Sequence, residues 1–552
     1  MRLGGLAEAI CAILAGVVLA FINTYPLITK FTSAARLDST DGRWSVWVVS
    51  WVAHALTTDP LNVYRANIFY PHDNALAFSE ANLVEGALGV PAWLLTQNPM
   101  TTHNSVFVLS FVLSFVATYY LVRHLVADRR AAAVAGVLYA FCPYVFGHFP
   151  HIQLLMIGGL PVCLLAFHRF EEHSTTSRAL VLGVSLWLMG LTCAYYGLFA
   201  GGIVALGSIT LAFAHNRLWD WQYWRGVAIA AIVCVGLTVP FFLPYLEVQQ
   251  DVGFSRTLTE AYRYSANAGA WLASAAWAHS LWLPYVRGFT EVLFPGIVTV
   301  VFGVAGAWIG LTRLSSKGKE RGSRIDRGIV VFYVLTAVVS FWIALGPAAG
   351  LYTLLYRSLP IVSMLRAPAR TGVVVALCLV VLASVAMARL LKGQRRATLL
   401  GVVLFVLASA DLFRAPVRMQ DRDPLPPAQH MLARLPAGPV AEFPFWYERL
   451  DYHRHAYYML NSTVHWQPMV NGYSDVIPQD FRDNARPLSS FPDPASFDIL
   501  ERIGARYALF HLDSYDERSR EKLLARLKEY EPYLRPLHTD GELWLFEIVG
   551  FP

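Results

Sequence analysis

The chain has 552 residues, of which 56% are hydrophobic and 15% charged, with a formal net charge of +6. So much apolar and so little charged residue excludes an ordinary soluble domain and points to a multi-span membrane protein. The small positive balance is what basic cytoplasmic loops produce, so it does not indicate a nucleic-acid binder.

The first apolar run, "MRLGGLAEAICAILAGVVLAFINTYPL", is long and lacks a clear cleavage site before Thr24, so it reads as a retained span. Runs of similar length follow, and the spans are expected at roughly 5–28, 102–122, 131–149, 152–168, 179–194, 196–213, 226–245, 291–312, 328–347, 371–391 and 397–413. With the N-terminus cytoplasmic, every second loop is basic: Arg123, Arg129 and Arg130; Arg169 and Arg178; Arg217 and Arg225; "RLSSKGKERGSRIDR"; and "RLLKGQRR". This orientation fits a bacterial cytoplasmic membrane. It places about 29–101, 246–290, 348–370 and everything after 414 on the outer side.

The first outer loop opens with "RLDSTDGRWSVWVVSWVAHAL". Trp44, Trp47 and Trp51 share one helical face, which suits a helix at headgroup depth. A second amphipathic helix, "EANLVEGALGVPAWLLTQ", follows. The loop is expected to hold Asp38, Asp41, Glu80 and Glu85 near the membrane surface. Asp41 reads either as a helix cap or as a general base for an acceptor hydroxyl. Asp38 is close enough to share that role. Glu80 reads as a helix-start acid or as a second acid binding an acceptor or a divalent cation.

Further along, "FGHFPHIQLL" puts His148, His151 and Gln153 at the outer mouth of two spans, and "CAYYGLF" puts Tyr195 and Tyr196 at the next outer elbow. Interfacial anchoring is the plain reading of the tyrosines, and substrate hydrogen bonding is the functional one. His-x-x-His on a bent loop is weak as a zinc signal. Glu291 reads as a helix-start acid. "SMLRAPART" places Arg366 and Arg370 just outside a span, where each suits either a lipid headgroup or bidentate contact with a phosphate. Arg256 and Arg287 are similar but less pointed.

The residues after 414 begin with a proline-rich linker, "RDPLPPAQHMLARLP". Strand-like runs "VAEFPF", "RYALFHL" and "LWLFEIV" follow, with a charged helix "SREKLLARLKEYEPYL" between the last two. They predict an extracytoplasmic α/β domain at 414–552 beside a transmembrane domain at 1–413. Asn471, Tyr473 and Asp475 in "NGYSD" read as a turn, or as exposed residues suited to sugar contact. None of the six cysteines lies in this region, which rules out an intrachain disulfide framework there. P-loop, GxSxG, HExxH and Rossmann patterns are absent, against NTP-driven transport and serine hydrolysis.

Taken together, "TDGRWSVWVVSWVAHAL", "ANIFYPHDNALAFSEANL", "QNPMTTHNSVFVLSFVLS", "AFCPYVFGHFPHIQLL", "LPIVSMLRAPART" and "VNGYSDVIPQDF" resemble the bacterial GT-C superfamily of polytopic membrane glycosyltransferases, within a YfhO-like and mannosyltransferase-like group. The resemblance spans nearly the whole chain. It implies transfer of a sugar from a polyprenyl-phosphate donor to a glycan, lipid or protein acceptor at the outer face. Asp41 matches the acidic residue of the first outer loop that serves as base, and Glu80 is the candidate for the second acid. Arg366 and Arg370 are candidates for the donor phosphate by their chemistry. The paired acids frequent in the superfamily are absent, since Gly42 follows Asp41, which leaves open whether a divalent metal takes part. A non-catalytic glycan-binding scaffold and, further off, a lipid or sugar transporter are the competing readings. Few ionisable residues fall at mid-membrane, which counts against the transporter.

Overall fold

In a computed structural model the described residues are 3–253, 256–314 and 324–552. Most of the basic loop "RLSSKGKERGSRIDR" therefore lies outside them. The chain is a largely helical, polytopic membrane protein. Among the described residues, seven helical segments are long and apolar enough to cross a membrane: Gly5–Asn23, Pro99–Val126, Arg129–Gly147, Ala194–Ala214, Trp221–Asp251, Arg327–Ala344 and Pro368–Leu391. The other expected spans are helical but shorter: Gly159–Glu172, Thr176–Thr192, Ile297–Arg313 and Ala397–Leu412. The expected span at 131–149 is broken into Arg129–Ala140 and Pro143–Gly147, because Pro143 cannot donate to the preceding turn.

The chain forms two compact units. The first comprises 1–29, 105–241 and 255–418. Its helices Ile297–Arg313 and Gly372–Leu391 pack through a row of small residues. Gly303 and Gly306 are buried against Leu379 and Leu382, and a Cβ on Gly306 would lie 1.8 Å from the carbonyl oxygen of Leu382; Gly310 of the same row is buried against Val330 of the helix Arg327–Ala344. Without a hydrophobic drive between helices in lipid, such close backbone approach supplies the packing. The opposite face of Ile297–Arg313 exposes Val301, Val304 and Trp308, as an apolar surrounding requires.

The second unit comprises 30–104, 242–254 and 419–552. Its sheet has four strands in the order β3-β4-β6-β5, with β3 Val440–Phe443, β4 Tyr507–His511, β5 Leu534–His538 and β6 Leu543–Ile548. β3 and β4 are parallel, and the other pairs are antiparallel. β3, β4 and β6 are the three strand-like runs of the sequence. β5 went unforeseen because it follows the charged helix directly: that helix is Glu517–Glu529, and Pro532 and Pro536 prevent its continuation. Ala428, Leu432, Val440, Leu509 and Leu545 close the core on one face of the sheet.

Residues of the first outer loop build into this unit by backbone pairing. β1 Ala34–Ala35 lies antiparallel to β2 Gln420–Asp421. The amides of Phe69 and Tyr70 donate to the carbonyls of Asn471 (3.1 Å) and Met469 (2.8 Å), and Met469 returns a bond to Asn67 (3.0 Å). Asn471, read as part of a turn or as an exposed residue suited to sugar contact, is fully buried. Its amide oxygen accepts from the Glu442 backbone N–H (2.7 Å), and its amide nitrogen donates to the Glu442 carbonyl (2.9 Å). Asp475 is exposed and Tyr473 partly so.

The tryptophan face of the helix Thr40–Thr58 also differs from expectation. Trp44, Trp47 and Trp51 are buried within the unit rather than presented to headgroups. Trp47 Nε1 donates to Asn67 Oδ1 (3.2 Å), whose amide nitrogen donates to Ser462 Oγ (3.0 Å). Trp51 donates to the Val63 carbonyl (2.9 Å) and meets Trp466 edge-on at 5.6 Å. A face of alternating indoles serves a protein core as well as it serves a bilayer interface, and periodicity cannot separate the two. By contrast, Leu94 and Leu95 on the helix Leu83–Thr96 are exposed at 64% and 85%.

Trp47→Ala should destabilise the folded chain by about 3–5 kcal/mol, from the lost burial and the cavity left behind. Trp47→Phe should cost less, chiefly the hydrogen bond to Asn67. Thermal unfolding of the detergent-purified chain ranks the two, and equal melting temperatures for wild type and Trp47→Ala would contradict the packing role.

Candidate functional site

The expected site residues fall into two groups, one in each unit. In the second unit, Ser39 rather than Thr40 or Asp41 caps the helix Thr40–Thr58, its side chain accepting from the Gly42 N–H (3.1 Å). Asp41 lies in the first helical turn, where a carboxylate is favoured by the helix dipole. Asp38 is engaged by Arg36 through two contacts, 2.9 and 3.4 Å. Gly42 has a steric reason: a Cβ there would lie 1.9 Å from the Arg36 carbonyl oxygen. A second acid beside Asp41 is therefore excluded by the turn itself.

Glu80 lies between a 3-10 turn, Ala75–Phe78, and the helix Leu83–Thr96, and is partly buried. Glu85 is fully buried, and burial pushes its carboxyl well above the usual range. His72 contacts Asp480 at 3.0 Å.

In the first unit, segments far apart in sequence bring a polar cluster together. Pro143–Gly147 and the turn after it hold His148, whose Nδ1 donates to the Tyr144 carbonyl (2.9 Å). That bond orients Nε2 toward Glu291, 3.3 Å away. His151 follows in the same turn, with its ring 6.4 Å from that of His148. Burial would push the Glu291 carboxyl up, but the His148 hydrogen bond and the charges of His148, Arg370 and His151 outweigh it. The carboxyl is held below its ordinary value.

Tyr195, at the start of the helix Ala194–Ala214, holds the segment that carries both arginines. Its ring lies 4.4 Å beneath the Arg370 guanidinium, and its hydroxyl accepts from the Arg366 backbone N–H (3.0 Å). The Arg366 side chain lies over Tyr264 (5.3 Å) and 3.7 Å from Glu260, which also binds Arg256 at 2.9 Å. Each guanidinium thus has an aromatic face on one side and a carboxylate within electrostatic reach. An arginine held this way loses little freedom on meeting a phosphate or carboxylate.

Of the expected residues, His148, His151, Tyr195, Arg366 and Arg370 share this cluster. Tyr196 is fully buried, and its hydroxyl bonds the Leu154 carbonyl (2.8 Å) and the Tyr144 hydroxyl (3.0 Å). It fixes the turn that carries His148 and His151. Gln153 is buried, with no partner for its amide oxygen among the described residues. Glu291 was read as a helix-start acid, but its helix begins six residues later, at Ile297, which frees the carboxylate for His148. Tyr264 and Glu260 were not singled out from the sequence, since their contact with Arg366 joins segments about a hundred residues apart. Among the described residues, no group of three or more His, Cys, Asp or Glu side chains is arranged to hold a metal.

The lowered Glu291 carboxyl has a measurable consequence. Its stabilising contribution is complete above the ordinary value of 4.5 and is lost as pH falls through the lower folded value. Wild type should therefore melt above Glu291→Gln at neutral pH, with the gap closing as the pH is taken below 4.5. A gap constant from pH 7 to the acid limit would contradict the assignment.

Against known proteins, no family model matches the chain, and no curated protein matches it. Among solved structures, the crystal structure of ArnT from Cupriavidus metallidurans bound to undecaprenyl phosphate is similar over 99% of this chain and 98% of that one. The sequence identity is 14% and the TM-score 0.37. At this TM-score the likeness carries no argument for the present chain.

Proposed function

We propose that the protein is a membrane glycosyltransferase that moves a sugar from a polyprenyl-phosphate donor to an acceptor hydroxyl at the outer face of the membrane. The observation that supports it is the arginine pair of the first unit. Arg366 and Arg370 are anchored by Tyr195 at the end of a transmembrane helix in a chain built for lipid. An amphiphilic donor needs its phosphate bound at headgroup depth with its tail in lipid, and a helix end carrying oriented guanidinium groups meets both needs.

In the proposed reaction Asp41 accepts the proton of the acceptor hydroxyl, assisted by Glu80. The acceptor oxygen attacks the anomeric carbon, and the bond from that carbon to the phosphate oxygen breaks with inversion. The leaving phosphate takes the electron pair, and Arg366 and Arg370 stabilise the charge that develops, so no strong general acid is required. His148, held by Glu291, and His151 contribute hydrogen bonds to the same phosphate. Asp38, engaged by Arg36, orders the turn ahead of Asp41.

The full chain reconstituted in vesicles, offered polyprenyl-phosphate sugars and candidate acceptors, tests this. Asp41→Asn should lower transfer by about a hundredfold or more. Arg370→Ala should do the same with a larger effect on donor binding. Full activity in Asp41→Asn would overturn the base assignment. Absence of transfer by wild type from every polyprenyl-phosphate sugar, with glycan binding intact, would favour a scaffold instead.

A further inference from the structure

Within the second unit, residues 32–33, 96–100 and 422–425 meet Thr463 and Val464 around an open cavity of about 430 Å³. Hydrogen bonds between these segments fix its walls. Asn98 Nδ2 donates to the Thr32 carbonyl (3.0 Å), and the Arg422 backbone N–H donates to the Ser33 carbonyl (2.8 Å). Arg422 Nη2 donates to the Leu460 carbonyl (3.0 Å) and to Thr463 Oγ1 (3.2 Å). Pro99 and Met100 of the lining begin the membrane-crossing helix Pro99–Val126, so the cavity lies at the head of a span.

Arg422 supplies the positive charge of this lining, and among the described residues no carboxylate pairs with it. Asp421, its neighbour in sequence, is taken by Lys30 and by Ser33 Oγ (2.9 Å). Asp423, the acid of the lining, is exposed and makes no ion pair among the described residues. Burial pushes the Arg422 guanidinium down to about 10, so it stays charged at neutral pH. Its Nε is enclosed without a partner, and both of its side-chain hydrogen bonds come from Nη2, which leaves Nη1 unused. Gln97 on the same lining has left-handed backbone, φ 47° and ψ 26°, a strained conformation for a residue with a side chain. Its backbone N–H closes the helix Leu83–Thr96 on the Trp93 carbonyl (2.8 Å), while its exposed side-chain amide bonds nothing among the described residues.

A desolvated charge without a counter-ion is costly, and a guanidinium lining a cavity offsets that cost by taking an anion. Paired N–H donors match phosphate oxygens, and an amide group adds a further donor. The head of a span is the depth at which the phosphates of a bilayer lie, and cations between membrane helices at that depth hold lipid headgroups.

We propose that Arg422 and Gln97 hold a phosphate ester in this cavity, and that its carrier is the headgroup of a membrane phospholipid. The guanidinium takes one phosphate oxygen through Nη1, the Gln97 amide donates to another, and Asp423 accepts from the hydroxyl or ammonium at the far end of the headgroup. None of these residues takes part in the proposed sugar transfer, whose arginines belong to the first unit.

The test is titration of the delipidated, detergent-purified full chain with phosphatidylglycerol, with diacylglycerol, which lacks the phosphate, and with soluble glycerol phosphate. Native mass spectrometry counts the bound molecules, and thermal unfolding reads the gain in melting temperature. Wild type should bind phosphatidylglycerol and melt higher with it, and diacylglycerol should do neither. Arg422→Gln should weaken the tightest phosphatidylglycerol binding about tenfold or more, and Gln97→Gly, which keeps the left-handed backbone and removes the amide, about threefold. If Arg422→Gln does not fold, Gln97→Gly decides, since glycine relieves the strain at that position. The inference is overturned if the folded variants bind phosphatidylglycerol as wild type does, or if diacylglycerol binds as well. Glycerol phosphate binding as tightly as phosphatidylglycerol would overturn the lipid as carrier and support the phosphate site. Sugar transfer is measured separately, and none of these outcomes bears on it.

Discussion

The second unit depends on one short chain of hydrogen bonds that begins at an indole. Trp47 reaches Asn67, and Asn67 reaches Ser462 and the Gln467 carbonyl (3.3 Å). Three segments far apart in sequence meet at the Asn67 amide, which leaves no polar atom of that side chain idle in a buried setting. A buried amide is tolerated only when all its bonds are made, so its neighbours are held in a single arrangement. The backbone pairing of 67–70 with 469–471 and the edge-on contact of Trp51 with Trp466 follow in the same neighbourhood.

In the first unit the corresponding constraint is electrostatic. Apolar helices leave few places for charge, and the charges that occur are gathered where helices end. Tyr195 does two things at once, seating one guanidinium on its ring and fixing the backbone of the other with its hydroxyl. Glu260 and Glu291 keep the arginines from being unbalanced, and His148 keeps Glu291 ionised. A group oriented in advance in this way pays little reorganisation when an anion arrives.

Legibility from the sequence varied with the range of the interaction responsible. Each expected span has a helix, because apolar length is written contiguously. Three of the four strands of the sheet were visible as short apolar runs, and β5 was hidden behind the charged helix that precedes it. The arginines, His148, His151 and Tyr195 were picked out by residue type at helix ends. Glu291 was read as a helix-start acid, and Glu260 and Tyr264 were passed over, since what distinguishes all three is a partner a hundred or more residues away. The tryptophan row was recognised as one face, but whether that face met lipid or protein was decided by Val63, Asn67 and Trp466, none adjacent to it in sequence.

By itself, then, the sequence determined a helical membrane protein, the positions of its apolar helices, the strands of an α/β portion, and a short roster of polar residues at helix ends. These follow from local composition and period, which each segment carries alone. Only the tertiary structure decided that residues 30–104 fold with those after 418, that the indoles form a core, and that Gly42 excludes a second acid. Each of these rests on a contact or a dihedral set by neighbours remote in the chain, and no window of sequence contains both sides of it.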